Sequence, residues 1–154
     1  MALDVALAQI TPVWLDRDAT LAKILATLED AAARGAGLVV FGEGLLPGYP
    51  FWPELTDGAR FDDAVQKELF AHYAANAVDL EAGELDAVCR RAGELGVAVY
   101  LGVIERCAVR GGFSLYACLV YISPAGRIES AHRKLVPTYE ERLVWAPGDG
   151  HGLQ

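Results

Sequence analysis

Apolar and polar positions along the chain alternate between two periods, and each change of period marks a new element. Leu3 to Ile10 alternates with period two and reads as a first strand, stopped by Thr11-Pro12. Asp16, Asp18 and Thr20 are N-cap candidates for a helix in which Leu21, Ile24, Leu25 and Leu28 form one apolar stripe. Gly35 and Gly37 end it. Leu38-Val39-Val40-Phe41 is then a continuous apolar run, the pattern of a strand buried on both faces. Strand, helix and strand within about forty residues make a βαβ unit with parallel pairing.

A polar loop follows Pro53 and runs through Asp57 and Gly58. Two helices are expected next. Residues 61–78 carry Val65, Leu69 and Tyr73 on one face, and residues 81–95 carry Leu85, Val88, Cys89 and Ala92, with Gly96 as the cap. Residues 97–104 form another buried strand. Gly111-Gly112 reads as a hairpin turn, 113–123 as a strand, Pro124-Ala125-Gly126 as a second turn, and 128–135 as the last strand of a meander. Period two on that strand puts Ile128, Ser130, His132 and Lys134 on one face and Glu129, Ala131, Arg133 and Leu135 on the other. Residues 136–142 leave the sheet, and Trp145 to Gly150 is turn-rich. The fold class is α/β, in one domain over residues 1–154 without repeats or a linker.

Composition adds a constraint. At 53 % hydrophobic residues and a mean hydropathy of +0.25, the chain has more apolar surface than 154 residues comfortably hide. Some should be buried against a partner or against sequence beyond these residues. No apolar run approaches the roughly 18 residues of a membrane span. The net charge of −8 argues against a nucleic-acid partner. Cys89, Cys107 and Cys118 fit neither a disulfide framework nor a zinc site, and the N-terminus has no secretory pattern, so a cytoplasmic setting is expected.

The chemistry concentrates at strand ends. Glu43 stands between Gly42 and Gly44, directly after the Leu38–Phe41 run, where α/β proteins place reactive groups. So much apolar surface should disfavour its charged form, as a general base requires. Gly42-x-Gly44 does not continue into a dinucleotide fingerprint, because Pro47 and Pro50 break the helix that would hold a pyrophosphate. No phosphate loop or Gly-x-Ser-x-Gly elbow occurs, and His72, His132 and His151 are isolated, so no metal site is expected. Glu43 at one strand end, with Lys134 and Glu141 at another, would supply two parts of a nucleophilic hydrolase: a base and a fixed cation.

Two long motifs carry a resemblance. The stretch from Val40 to Trp52 includes Phe41-Gly42-Glu43-Gly44 and Pro47-Gly48-Tyr49-Pro50. The second runs from His132-Arg133-Lys134 through Pro137-Thr138-Tyr139-Glu140-Glu141-Arg142 to Trp145 and Gly148-Asp149-Gly150. Together they closely resemble the nitrilase branch of the carbon-nitrogen hydrolase superfamily, over essentially the whole length from Val5 onward. The resemblance implies an αββα sandwich, present here as about its first half and C-terminally incomplete. It implies a homo-oligomer, a small-molecule nitrile or amide substrate, and no cofactor. It makes Glu43 the general base, Lys134 the cation at the tetrahedral intermediate, Glu141 the second glutamate that orients that lysine, and Tyr49 a neighbour of the substrate. The nitrile would become a thioimidate, then a thioester, then a carboxylic acid, with release of ammonia.

The chain departs from the pattern in having Gly42 before the base, where proline is usual, and Ala146-Pro147 where a glycine-containing pair is common. The larger departure is the nucleophile. The expected Cys-Trp-Glu context is not among these residues. Cys89 falls on a helix stripe, Cys118 inside a strand and Cys107 at a strand end. The chain alone is therefore expected to be inactive. Two further readings stay open: a truncated, non-catalytic chain that serves in oligomerisation, and an amidase of the same superfamily.

Overall fold

The computed structural model describes residues 2–107 and 114–152, the His151 side chain apart. Gly111-Gly112 lies outside the described residues. Five strands form one sheet in sequence order: β1 (Val5–Ala8), β2 (Leu38–Phe41), β3 (Ala98–Arg106), β4 (Leu115–Ile122) and β5 (Ile128–Arg133). β1, β2 and β3 pair in parallel, as the βαβ reading requires, and β3, β4 and β5 form the antiparallel meander. Among the described residues the α-helices are α1 (Arg17–Ala33), α2 (Trp52–Leu55), α3 (Ala64–Asn76) and α4 (Asp86–Leu95). The αββα half-layer arrangement is thus a mixed α/β fold with one five-stranded sheet.

Helix boundaries follow local hydrogen bonds. Asp16 caps α1 by accepting from the Ala19 amide, and Ile24 and Leu28 of the stripe are fully buried. α3 starts at Ala64, later than the apolar spacing suggests, because Asp63 accepts from the Val65 and Gln66 amides. Val65 is then exposed while Tyr73 is fully buried, so only the last turns of the helix face the core. α4 starts at Asp86 and not near Glu81. The Asp79 side chain accepts from the amides of Glu81 and Ala82, and the Asp79 amide donates to Glu84. Those bonds give residues 79–84 a turn in place of a helix. The short helix α2 was unpredicted; Pro53 sits in its first turn, where a missing N–H costs nothing.

One sheet face is covered. Val39 and Phe41 of β2, Val99, Leu101 and Val103 of β3, and Val120 and Ile122 of β4 pack with Ile24 and Leu28 of α1 and Val88 and Ala92 of α4. The opposite face is divided. At one end Ile104, Leu115 and Ala117 are covered by Trp52, Tyr73 and Ala74, and by Val144 and Trp145 of the tail. At the other end Val5, Leu7 and Leu119 lie exposed, Leu7 at 80 %. This is the uncovered apolar surface that the composition implied.

The loop after β2 crosses that face hard against β3. The Leu46 amide donates to the Gly102 carbonyl at 3.3 Å, and the Ile104 amide donates to the Leu46 carbonyl at 2.7 Å. A Cβ on Gly102 would lie 2.2 Å from the Gly42 carbonyl oxygen and 2.7 Å from Glu43 Cα. Both are backbone atoms, so they cannot swing aside. Gly102→Ala is expected to destabilise the protein by about 1–3 kcal/mol, as for an overpacked core site, and to push the Glu43 loop off the sheet. Denaturant unfolding measures the first effect and a crystal structure of the variant the second. An unshifted loop with unchanged stability would show that the contact is not limiting.

Candidate active site

Glu43, Lys134 and Glu141 come from three elements and meet at the boundary between the covered and open parts of the sheet face. β2 delivers Glu43 where its strand gives way to the turn. β5 delivers Lys134 one residue past its last paired position, still held by a bond from the Lys134 amide to the Ala117 carbonyl at 2.7 Å. A 3₁₀ helix, Tyr139–Leu143, delivers Glu141. The alternation predicted for β5 holds from Ser130 to Lys134, but a register shift opposite Tyr121 and Ile122 breaks it before Ser130 and sets Ile128 against Ile122. His132 and Lys134 border one cavity of about 480 Å³ together with Glu43 and Leu119. Arg133 points to the other face, where it grips Glu105 at 2.7 and 2.5 Å and lies over the Tyr116 ring.

The lysine bridges both carboxylates. Lys134 Nζ donates to Glu43 Oε1 at 2.9 Å and to Glu141 Oε2 at 2.8 Å and Oε1 at 3.2 Å. The two acids are not equivalent. The Glu141 side chain is 6 % exposed. Its Oε2 also accepts from the Thr138 amide at 2.7 Å and the Thr138 hydroxyl at 3.1 Å, and its Oε1 from the Tyr49 hydroxyl at 3.3 Å. The Glu43 side chain is 54 % exposed, and among the described residues Lys134 is its one hydrogen-bond donor. The desolvated setting expected for Glu43 is therefore absent, because the open part of the face leaves its carboxylate in water. Glu141 occupies the buried place instead.

The shifts follow from this asymmetry. Burial disfavours the Glu141 carboxylate, yet the bonds from Lys134 and Thr138 outweigh it and hold its pKa below the usual value. Burial likewise opposes the Lys134 ammonium, but the bonds and charges of Glu141 and Glu43 raise its pKa above that of an ordinary lysine. Burial, and then the Glu141 charge, raise the Tyr49 phenol. The ammonium is thus fixed as a cation across the neutral range.

Tyr49 is brought to the same place, edge-on to the Trp145 ring at 5.6 Å. Several supporting residues were not singled out from the sequence. Trp145 lies 5.7 Å from Lys134 Nζ, within cation–π reach. Its indole donates to the Tyr73 hydroxyl at 3.3 Å, and Tyr73 donates to the Gly48 carbonyl at 2.9 Å. The tail is tied down by a bond from the Ala146 amide to the Leu115 carbonyl at 2.8 Å. Only the Thr138-x-x-Glu141 capping box had a readable signature. No group of three or more His, Cys, Asp or Glu side chains suited to a metal occurs among the described residues.

The cysteines stand apart from this chemistry. Cys118 pairs with Arg133 and packs into the core on the sheet face away from Lys134, and its thiol is pushed up to about 12, first by burial and then by the Glu105 charge. Burial, then Asp86, also raises Cys89. Cys107 lines a separate small hollow with Arg133 and Asp79. No thiol that ionises readily faces Glu43 among the described residues.

A profile of the carbon-nitrogen hydrolase family matches residues 4–154. The chain is 40 % identical over 148 residues to "Nitrilase 2" from an unknown prokaryotic organism, covering 96 % of this chain and 45 % of that one. It is 39 % identical to an aliphatic nitrilase of Sinorhizobium fredii (96 % and 46 % covered) and 37 % identical to a bifunctional nitrilase/nitrile hydratase of Nicotiana tabacum (92 % and 40 %). The chain thus spans about half the length of the curated relatives it matches. A crystal structure of an amidase from Nesterenkonia sp. shares the fold with a TM-score of 0.64 at 19 % identity, over 96 % of this chain and 48 % of that one.

The Lys134→Met variant is expected to lose about 3 kcal/mol of stability at pH 7, because it leaves the Glu141 charge buried without its cation. The native contribution from Glu141, whose folded pKa is lowered, is present above the ordinary carboxylate range and disappears as pH falls through the lowered value. The difference between native protein and variant should therefore shrink at pH 3.5. Denaturant unfolding at both pH values checks this; a difference that grows on acidification contradicts it.

Proposed function

The chain belongs to the carbon-nitrogen hydrolase family, and from that premise we propose that it is the part of a nitrile-hydrolysing enzyme that carries the base and the cation. The observation that carries the reading is the unequal pair of acids on one ammonium. Glu141, with both oxygens committed to donors, suits the task of holding Lys134. Glu43, half in solvent and with one donor, suits the task of accepting and returning a proton. The named relatives at 37–40 % identity favour a nitrile over an amide.

In this reading Glu43 takes the proton from a cysteine thiol as the sulfur bonds to the nitrile carbon. The C≡N bond becomes C=N, and the proton passes to nitrogen. Water then adds to the thioimidate carbon, and Lys134 stabilises the tetrahedral species. Collapse expels ammonia and leaves a thioester, which a second water hydrolyses to the carboxylic acid and free thiol. Tyr49 borders the substrate. The protonated, buried Cys118, the helix-packed Cys89 and Cys107, which lines a separate hollow with Arg133 and Asp79, are unsuited to the attack, so in this reading the thiol comes from outside these 154 residues.

The test joins these 154 residues to the second half of the 40 % identical nitrilase and measures ammonia release from a nitrile and its matched amide. The joined protein should prefer the nitrile, and Glu43→Gln should lower kcat/KM by about 10²–10⁴-fold. Preference for the amide favours the amidase reading. The 154 residues alone should release no ammonia; turnover by them, or a fully active Glu43→Gln protein, would overturn the proposal.

A further inference from the structure

Glu43 borders two cavities, not one. Beyond the Lys134 side, a second cavity of about 420 Å³ is walled by Ile10, Pro12, Trp14, Leu45, Tyr49 and Phe51. Glu43, at its edge, is the one charged residue in its lining. A charged or strongly polar ligand part would find no ion partner there apart from a carboxylate.

The aromatic walls are built in advance. The Trp14 and Phe51 rings stack at 4.5 Å with 24° between planes. The polar atoms of the rings are already used: the Trp14 indole donates to the Tyr49 carbonyl at 3.0 Å, and the Tyr49 hydroxyl to Glu141. Apart from Glu43, Gln9 and Thr11, what remains on offer is apolar surface, much of it from rings. Gly48, at a φ of +126°, lets Trp14 close on the loop, since a Cβ there would lie 2.6 Å from Trp14 Cδ1. The Tyr73 hydroxyl fixes the same glycine from below. A Trp14 ring held by a hydrogen bond to backbone loses little freedom when a ligand arrives.

Resting on the nitrile-hydrolase reading of Glu43, we propose that this cleft holds the organic group of the substrate and selects one that carries a planar aromatic ring. An alicyclic group of equal size buries comparable area but cannot stack on Trp14 or Phe51. Stacking contributes beyond burial, which sets the expected preference at about three- to tenfold.

The experiment titrates the full 154-residue chain with phenylacetonitrile, cyclohexylacetonitrile and toluene, following the three tryptophan indole signals and the Lys134 ammonium by NMR. Phenylacetonitrile should bind about three- to tenfold more tightly than cyclohexylacetonitrile, with ring-current shifts at Trp14 and not at Trp52 or Trp145. Trp14→Leu or Phe51→Leu, each confirmed folded by circular dichroism, should abolish the preference. Equal affinities in the native chain, or shifts confined to Trp52 and Trp145, overturn the cleft assignment without any variant. If toluene binds as tightly as phenylacetonitrile and the Lys134 signal stays still, the aromatic cleft stands and the placing of the nitrile at Glu43 falls. If Lys134 responds to both nitriles and Trp14 to neither, the reverse holds.

Discussion

A buried carboxylate governs the architecture of this site. Taking the Glu141 charge out of water is costly unless donors replace the lost solvent. Here they come from three directions: the Lys134 ammonium, the Thr138 amide and hydroxyl, and the Tyr49 hydroxyl. Meeting that requirement fixes the end of β5, the 3₁₀ helix after it, and the loop after β2 relative to one another. Trp145 then closes over Lys134 and ties the tail to Tyr73 and Gly48.

The same constraint explains why two glutamates on one lysine differ so much. An acid whose oxygens are all committed to donors has no site open to an incoming proton, whereas an acid with a free side has one. Glu43 keeps that freedom because its loop lies over the edge of the covered part of the sheet. Gly102 lets the loop sit low enough for Glu43 to reach Lys134 at 2.9 Å. The position of the loop also opens two cavities, one on each side of the carboxylate.

Beyond the site, Val5, Leu7 and Leu119 present apolar side chains to solvent, and Tyr100 packs on Tyr121 at 4.9 Å beside them. An apolar surface of this kind on a sheet face is built to be covered. The high hydrophobic content of the chain therefore reflects one core between the sheet and helices α1 and α4, a smaller one over one end of the opposite face, and the rest of that face left uncovered among the described residues.

Much was legible from residue order. Period-two alternation and continuous apolar runs placed the five strands, and the 3.6 period placed the cores of α1, α3 and α4, because side-chain direction along an element is a local property. The motifs marked Glu43, Lys134, Glu141 and Tyr49, and the alternation on β5 sorted Lys134 from Arg133. What order could not supply was environment. The start of α4 depended on Asp79 competing for backbone amides, and that of α3 on which acid became the cap. The sequence pointed to Glu43 as the desolvated acid because apolar residues adjoin it in the chain. Tertiary packing put Glu43 in water and buried Glu141, since desolvation and hydrogen bonding depend on which distant segments cover a group in space.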